Sequence, residues 1–283
     1  MIDSAAKTFF ITGVSSGFGR ALSRAALDAG HRVVGTVRNA EDASTFEAMQ
    51  SGRAIARLLD VTDNTSVEHV ALEVEQTIGP VDVIVNNAGY GHEGIVEESP
   101  LDDMRRQFEV NVFGAVAVIK AFLPFMRARR RGRILNITSM GGFITMPGIA
   151  YYCGSKFALE GISEALGKEV HAFGIDVTAV APGSFRTDWA GRSMARAPRS
   201  ISDYDALFDP VRARRQSISG KQIGNPAKAA AVMLQLATGV ERPPAHLLLG
   251  SDALELVRGK LNVMQADLAQ WEQTSRSTDN PMD

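Results

Sequence analysis

The stretch TFFITGVSSGFG at residues 8–19 decides the fold, because a compact apolar run is followed at once by a glycine-rich turn and then by helical spacing of apolar residues. Gly13, Gly17 and Gly19 permit a tight turn and a close approach of the backbone to a pyrophosphate. The helix that follows directs free N–H groups and the positive end of its dipole at such a group. This order predicts a nucleotide-binding strand–turn–helix unit.

Short β-branched runs alternate with helical stretches along the rest of the chain. The predicted strands are residues 8–12, 32–37, 54–59, 81–85, 133–137, 175–180 and 246–249. Alternating strands and helices predict a parallel sheet, and continuously apolar strands are typical of a sheet that is buried on both faces. We predict an α/β fold: a single-domain, Rossmann-like, doubly wound parallel sheet of about seven strands, with helices on both faces.

We predict one domain over residues 1–273, followed by a flexible tail at 274–283. Residues 184–225 show no clear periodicity, and such a long segment in a compact domain is usually functional or mobile, so we assign it as a substrate loop. A C-terminal helix at 252–273 carries an apolar stripe that packs either on the parent domain or on a second subunit. The stripe consists of Leu254, Val257, Leu261, Met264, Leu268 and Trp271.

Composition excludes several classes of protein. Lys plus Arg is 30 and Asp plus Glu is 32, whereas a nucleic-acid binder needs a basic excess. The single cysteine, Cys153, cannot form an internal disulfide, which favours a reducing, cytoplasmic location. The five histidines include no i, i+4 pair and the chain has no CxxC or HExxH motif, so no metal site is expected.

No signal peptide and no membrane span are expected. Residues 1–7 lack a basic region followed by an apolar stretch. The most apolar window, residues 110–126, is interrupted by Asn111, Lys120 and Pro124 and falls short of the roughly 20 apolar residues that cross a bilayer. We interpret this window as a helix buried on two sides.

The end of the second strand indicates which dinucleotide binds. A free adenine ribose is usually held by an acidic residue near this point, but Val37 offers no carboxylate there. Arg38 offers a cationic fork that suits a phosphate. We therefore predict NADP (as NADPH), with NAD less favoured.

A rival interpretation of the glycine turn is a serine hydrolase. Residues 13–17 also match GxSxG, in which Ser15 would be the nucleophile between a strand and a helix. Such an enzyme needs an acidic residue and a histidine that serve Ser15. The candidates His171 and His246 have no distinguishing sequence context.

Seven short motifs follow one another along the chain. They are TGVSSGFG at 12–19, DVT at 60–62, NNAG at 86–89, Asn111, Ser139, YCGSK at 152–156 and PGSFRT at 182–187. In this order they resemble the short-chain dehydrogenase/reductase family, from Thr8 to about Leu249. The surroundings, NNAGYG and YCGSKFALEG, resemble its hydroxysteroid/retinol dehydrogenase-like branch, which acts on lipophilic alcohols.

The resemblance extends the cofactor site beyond the glycine turn and Arg38. It implies that the DVT motif contacts adenine, the NNAG motif supports the adenosine ribose, and the PGSFRT motif faces the nicotinamide. The predicted cofactor-binding residues are Gly13, Ser15, Ser16, Gly17, Phe18, Gly19, Arg38, Asp60, Val61, Asn87, Ala88, Gly89, Tyr152, Lys156, Pro182, Gly183, Phe185 and Thr187.

Tyr152 and Lys156 are four residues apart on a predicted helix and so share one face. A nearby ammonium lowers the pKa of a phenol, which predicts that this pair is a general acid/base. Ser139 follows the fifth strand, where its hydroxyl can stabilise charge on a substrate oxygen. By the resemblance, Asn111 holds a water that connects Lys156 to solvent, which completes the predicted catalytic set.

Apolar side chains are expected around the substrate. The predicted lining is Met140, Phe143, Ile144, Met146, Phe185, Trp189, Tyr204 and Phe208, and the predicted substrate-binding residues are Ser139, Tyr152, Met140, Phe143 and Trp189. We predict NADPH-dependent reduction of a lipophilic or aromatic ketone or aldehyde, or the reverse reaction. A non-catalytic NADP-binding sensor on the same fold is the alternative. The apolar helices around Asn111 and after Tyr152 predict a homodimer or homotetramer.

Overall fold

A computed structural model of the protein describes residues 6–280. A seven-stranded parallel sheet has the order β3-β2-β1-β4-β6-β7-β9. These strands are β1 (Thr8–Ile11), β2 (Arg32–Val37), β3 (Ala54–Leu58), β4 (Val83–Asn86), β6 (Gly132–Ile137), β7 (Ile175–Pro182) and β9 (His246–Leu249). Each predicted strand is found within two residues of its predicted bounds, and the predicted fold class is confirmed.

Helices cover both faces of this sheet. They are α1 (Gly17–Asp28), α2 (Ala40–Glu47), α3 (Asn64–Thr77), α4 (Leu101–Phe108), α5 (Gly114–Arg129), α6 (Ala150–Val170), α7 (Asp205–Ser217), α8 (Pro226–Thr238) and α9 (Ser251–Arg276). A π-helical turn, Glu109–Phe113, joins α4 to α5.

Two hydrophobic cores result, one on each side of the sheet. Phe9 and Ile11 belong to a cluster with α1, α2 and α8. Phe10, which lies between them, belongs to the other cluster, with α3, α5 and α6. Because successive side chains of a strand point to opposite faces, an apolar run such as FFI fills both cores at once.

The protein has a second, two-stranded sheet that was not predicted. β5 (Gly91–Glu93) pairs in parallel with β8 (Met194–Arg196), and three residues are too few to show an alternating pattern. β8 and α7 both lie inside residues 184–225, so this segment is largely structured. The small sheet joins it to the chain that follows β4.

The C-terminal helix differs from its prediction. It runs from Ser251 to Arg276, so the helix includes the first residues of the predicted tail. Ala253 and Val257 are buried, but Leu261, Leu268 and Trp271 are 50%, 70% and 57% exposed. The prediction that this helix packs on the parent domain is therefore correct only for its first turns, because the helix then leaves the domain surface. Residues 1–5 and 281–283, parts of the N-terminal and tail predictions, lie outside the described residues.

The apolar stretch around Asn111 is more exposed than predicted. Residues 101–129 form one continuous helical stretch that is long and apolar enough to cross a bilayer, by length and composition alone, and 39% of its most apolar window is buried here. Val118 and Phe122 lie in the core, whereas Phe113 is 56% exposed. The helix is therefore buried on one side only, and core helices commonly satisfy such a composition test.

Candidate active site

A cavity of about 810 Å³ lies at the carboxyl ends of the central strands. This edge is where parallel α/β sheets bind ligands, and the volume falls within the range of roughly 300–1,000 Å³ that is usual for ligand pockets. The predicted residues that line it are Gly13, Ser15, Ser16, Gly17, Phe18, Arg38, Asp60, Val61, Asn87, Ala88, Gly89, Ser139, Met140, Tyr152, Lys156, Pro182, Gly183, Phe185, Thr187 and Trp189.

The glycine turn is fixed by hydrogen bonds from Asn87, which directly follows β4. Gly13 has φ +72° and Gly17 has φ +56°, a region that favours glycine. The Asn87 side chain donates to the carbonyl oxygens of Thr12 at 2.9 Å and Gly13 at 2.8 Å. The turn is thus fixed in a shape that leaves backbone free to face the cavity.

Gly19 is the predicted cofactor residue that does not line the cavity. A Cβ built at Gly19 would overlap the carbonyl oxygen of Gly13 and come within 2.5 Å of Asn87 Nδ2. Its role as a cofactor contact therefore stays a prediction. The missing side chain instead allows α1 to pack closely on the turn.

At the other end of the cavity, Arg38 follows β2 and is exposed. Asn39 caps α2: its Oδ1 accepts from the Asp42 N–H at 2.8 Å, and its Nδ2 donates to Asp42 Oδ2 at 2.9 Å. Asp42 also lines this end. This end of the cavity wall thus carries the Arg38 guanidinium and the Asp42 carboxylate, which already accepts a hydrogen bond from Asn39.

Ser139, Tyr152 and Lys156 meet in the middle of the cavity wall. The Ser139 hydroxyl caps a short 3₁₀ turn by accepting from Gly141 N–H at 3.0 Å. Tyr152 and Lys156, one turn apart on α6, are both buried. Lys156 Nζ donates to the Ile137 carbonyl at 2.9 Å and lies 5.8 Å from the centre of the Tyr152 ring.

Burial controls the charge state of both groups. It raises the pKa of the Tyr152 phenol well above its ordinary value, although the nearby Ser139 hydroxyl and Trp189 indole counteract it. Burial also lowers the pKa of Lys156 to about 8. The net shift of the Tyr152 pKa is upward, opposite to the effect expected of Lys156, because desolvation outweighs the hydrogen bonds to Ser139 and Trp189. Tyr152 is protonated at neutral pH and can donate a proton.

A buried acid behind Lys156 was not predicted. Glu160 accepts hydrogen bonds from the Thr138 hydroxyl, and its other oxygen lies 2.6 Å from His246 Nδ1. Burial raises the pKa of Glu160. The signal was available in the sequence, since Glu160 stands four residues after Lys156 and therefore on the same helix face.

Asn111 lies in the π-helical turn and is buried, but does not line the cavity. Its Oδ1 accepts from Tyr90 N–H at 3.1 Å, and its Nδ2 donates to the Tyr90 carbonyl and to Ser155 Oγ, both at 3.0 Å. These bonds tie the chain after β4 to α6. In this structure Asn111 positions the site, and its link to Lys156 through water stays a prediction.

Four residues expected around the substrate lie elsewhere. Phe143 packs edge-on against His246, with ring centroids 5.7 Å apart, and does not line the cavity, because the 3₁₀ turn carries it past the opening. Ile144 is buried outside the lining. Tyr204 donates to Glu97 at 2.6 Å, and Phe208 is buried under Arg199.

Other side chains take their place. Met146, as predicted, and the unpredicted Ile149, Met194, Ile218, Arg215 and Gln222 line this end. No motif marks the last two, which come from the segment without periodicity. The Trp189 ring lies 5.0 Å from the Tyr152 ring, and its buried Nε1 has no acceptor within residues 6–280. The indole N–H nevertheless lies close enough to the Tyr152 hydroxyl to lower the pKa of the phenol, so it faces the same point of the cavity.

Ser15 lines the cavity, yet the two histidines proposed to serve it bind other groups. His246 lies on Glu160, and His171 lies 3.4 Å from Arg242. No hydrogen bond joins Ser15 to a histidine anywhere in the described part of the chain. The arrangement does not support a serine hydrolase.

Known proteins resemble this chain over most of its length. A family model for short chain dehydrogenases matches residues 7–197. An oxidoreductase, BOA17, of Botryotinia fuckeliana is 37% identical over 95% of this chain and 98% of its own. An NADPH-dependent 3-dehydrocapnine reductase of Ornithobacterium rhinotracheale is 31% identical over 86% and 88%. The crystal structure of a short-chain dehydrogenase from Streptomyces avermitilis has a TM-score of 0.90 and 42% identity, covering 98% of this chain and 100% of that one.

Proposed function

The chain belongs to the short-chain dehydrogenase family of oxidoreductases, and from that premise we propose that it reduces a lipophilic or aromatic ketone or aldehyde with NADPH, or catalyses the reverse reaction. One observation carries the proposal: a buried Tyr152 lies beside Ser139 in the same cavity as the glycine turn. A proton donor is needed for carbonyl reduction and has no purpose in a non-catalytic sensor.

The residues at the glycine turn fit a dinucleotide. The backbone of Gly13 passes so close to the segment that follows β4 that a Cβ added at Gly13 would lie 3.2 Å from Ala88 Cα. The first turn of α1 opens toward the same cavity, which suits a pyrophosphate. When bound, the nicotinamide cofactor supplies the hydride. Arg38 supports NADPH over NADH, as does the NADPH dependence of the 3-dehydrocapnine reductase, a relative of this chain.

Tyr152 gives its proton to the substrate oxygen as that oxygen gains charge. The Ser139 hydroxyl steadies the oxygen, and the Trp189 N–H, which lies close to the Tyr152 hydroxyl, is placed to assist. Lys156, with a pKa of about 8, is mainly protonated at neutral pH and keeps a positive charge near the phenol. Its hydrogen bond to Ile137 fixes the amine where it can favour the phenolate that remains.

The experiment is a spectrophotometric measurement of NADPH oxidation across a panel of lipophilic ketones and aldehydes, repeated with NADH. Tyr152→Phe should retain NADPH binding and lose at least about 100-fold in kcat, the usual contribution of a general acid. The matched control is Tyr151→Phe, since the neighbouring Tyr151 donates to the Ser99 carbonyl at 3.0 Å away from the cavity.

Three outcomes are informative. Full activity in Tyr152→Phe contradicts the acid role. Binding of NADPH without turnover of any carbonyl compound or alcohol supports the sensor instead. A preference for small charged ketones over bulky ones contradicts the lipophilic substrate, for which the support is the apolar lining of Met140, Met146, Ile149 and Met194.

We also propose that the protein forms a homodimer or homotetramer through α5 and α6. Phe113, at the start of α5, is 56% exposed, and Phe157 on α6 is 42% exposed. Exposed aromatic side chains on neighbouring helices are typical of interfaces. Light scattering of the purified protein checks this, and a monomer at micromolar concentration contradicts it.

A further inference from the structure

Arginines outnumber acidic groups behind the substrate end of the cavity. Glu93 on β5 is 1% exposed, and its carboxylate lies 2.7 Å from Arg215 Nη1, 3.2 Å from Arg196 Nε and 3.3 Å from Arg212 Nε. Even without Arg196, the guanidinium groups of Arg212 and Arg215 face one negative charge. The cluster therefore carries a positive excess in a partly buried place, where charge is poorly screened.

Arg215 is the member of this cluster that lines the cavity. Its side chain is 11% exposed, and it donates to Glu93 and, at 3.1 Å, to the Pro147 carbonyl. A guanidinium has five N–H donors, so three remain without a partner in the described chain. Planar donors of this kind suit a carboxylate, sulfonate or phosphate group.

The position of Arg215 places the charge near the reacting groups. Burial raises the pKa of the Cys153 thiol, and Arg215 is close enough to counteract it. Cys153 adjoins Tyr152 within the turn of α6 that carries Tyr152 and Lys156. The charge of Arg215 thus acts at the substrate end of the cavity, whereas Arg38 serves the end beside β2.

The surroundings of Arg215 are largely apolar. Met146, Met194 and Ile218 line the same cavity. The remaining cation on this side, Arg192, is 67% exposed and already lies 3.1 Å from Asp188. A molecule that fills this end therefore meets apolar surface and the Arg215 guanidinium, in addition to Lys156 beside the reacting groups.

We propose that the substrate is an amphipathic ketone or aldehyde with one anionic group, and that Arg215 recognises the anion. This inference rests on the proposed function and deepens it, since it adds a charge requirement to a lipophilic substrate. Arg215 is a specificity-determining residue: it binds the anionic group of the substrate, not the carbonyl, and takes no part in proton transfer.

The test compares a long-chain keto acid with its own methyl ester, which lacks the negative charge and adds one methyl group. The wild-type enzyme should show a kcat/KM for the acid on the order of ten-fold or more above that for the ester, as expected for a charge-assisted contact. Arg215→Gln should bring this ratio close to one, mainly through a higher KM for the acid.

The matched control is Arg212→Gln. It removes the same charge and a contact with the same Glu93 carboxylate, at 3.3 Å, but Arg212 does not line the cavity. The control should therefore keep most of the preference for the acid. Arg215→Lys, which retains the charge, should keep part of it.

Equal kcat/KM values for acid and ester in the wild type overturn the proposal. So does an equal loss of preference in Arg212→Gln and Arg215→Gln, because the cluster would then act on the fold alone. If no ketone is turned over, the proposed function fails, and calorimetric titration of the protein with the same two compounds still decides the question. Binding of the acid that Arg215→Gln abolishes supports recognition of the anion, and equal binding of acid and ester refutes it.

Discussion

Two glycine-to-alanine substitutions in helices should have effects of opposite sign. In Gly19→Ala, the new Cβ overlaps the Gly13 carbonyl oxygen and comes within 2.5 Å of Asn87 Nδ2. The first obstacle is backbone in the turn itself, so relief requires α1 to move. In Gly161→Ala, on α6, the new Cβ meets nothing within 4 Å.

The magnitudes follow from two competing terms. Alanine in a helix interior is favoured over glycine by about 1 kcal/mol, and overpacking a closed site costs about 1–3 kcal/mol. Gly161→Ala gains the first term alone, so its free energy of unfolding should rise by about 0.5–1 kcal/mol. Gly19→Ala bears both terms, and the clash with backbone places it at the unfavourable end, a net loss of about 1–2 kcal/mol.

Thermal unfolding at one protein concentration, without ligand, measures both variants. For a chain of this length, 1 kcal/mol corresponds to a shift in Tm of about 2–4 °C. Gly19→Ala should also weaken NADPH binding, since it disturbs the turn that Asn87 holds. An unchanged or higher Tm for Gly19→Ala, with tight NADPH binding, would refute the argument that α1 packs on the turn through a missing side chain.

The other predictions concern charge. Lys156 has a pKa of about 8 in the folded protein, against an ordinary value of 10.5. Between those two values the unfolded chain binds more protons, so the free energy of unfolding should rise with pH, by about 3 kcal/mol across the window. Urea unfolding of Lys156→Met should lack this rise, and the same rise in both proteins would show that another group causes it. Arg38→Leu should raise the KM for NADPH about ten-fold, because an exposed arginine loses a single contact with the phosphate. The KM for NADH should stay nearly unchanged. Equal changes in KM for both cofactors would exclude recognition of the phosphate by Arg38.

The local sequence was sufficient to predict the strands, the glycine turn and the pairing of Tyr152 with Lys156 on one helix. The apolar residues of TFFI are enough to predict a strand. The backbone angles found at Gly13 and Gly17 strongly favour glycine, so the turn that follows the strand is marked by its glycines. The spacing of Tyr152 and Lys156 places both on one helix face, whatever surrounds them. These features depend on neighbours within a few positions, which is why they could be read in order along the chain.

Tertiary packing decided the charges and the walls of the site. Whether the Tyr152 pKa rises or falls depends on burial, and the groups that bury it come from distant segments. Phe143 adjoins the predicted wall in sequence but packs on His246, and Arg215 reaches the cavity because β8 pairs with β5 about a hundred residues earlier. Desolvation and contact between remote parts of a chain are properties of three-dimensional proximity, which no local pattern of residues encodes.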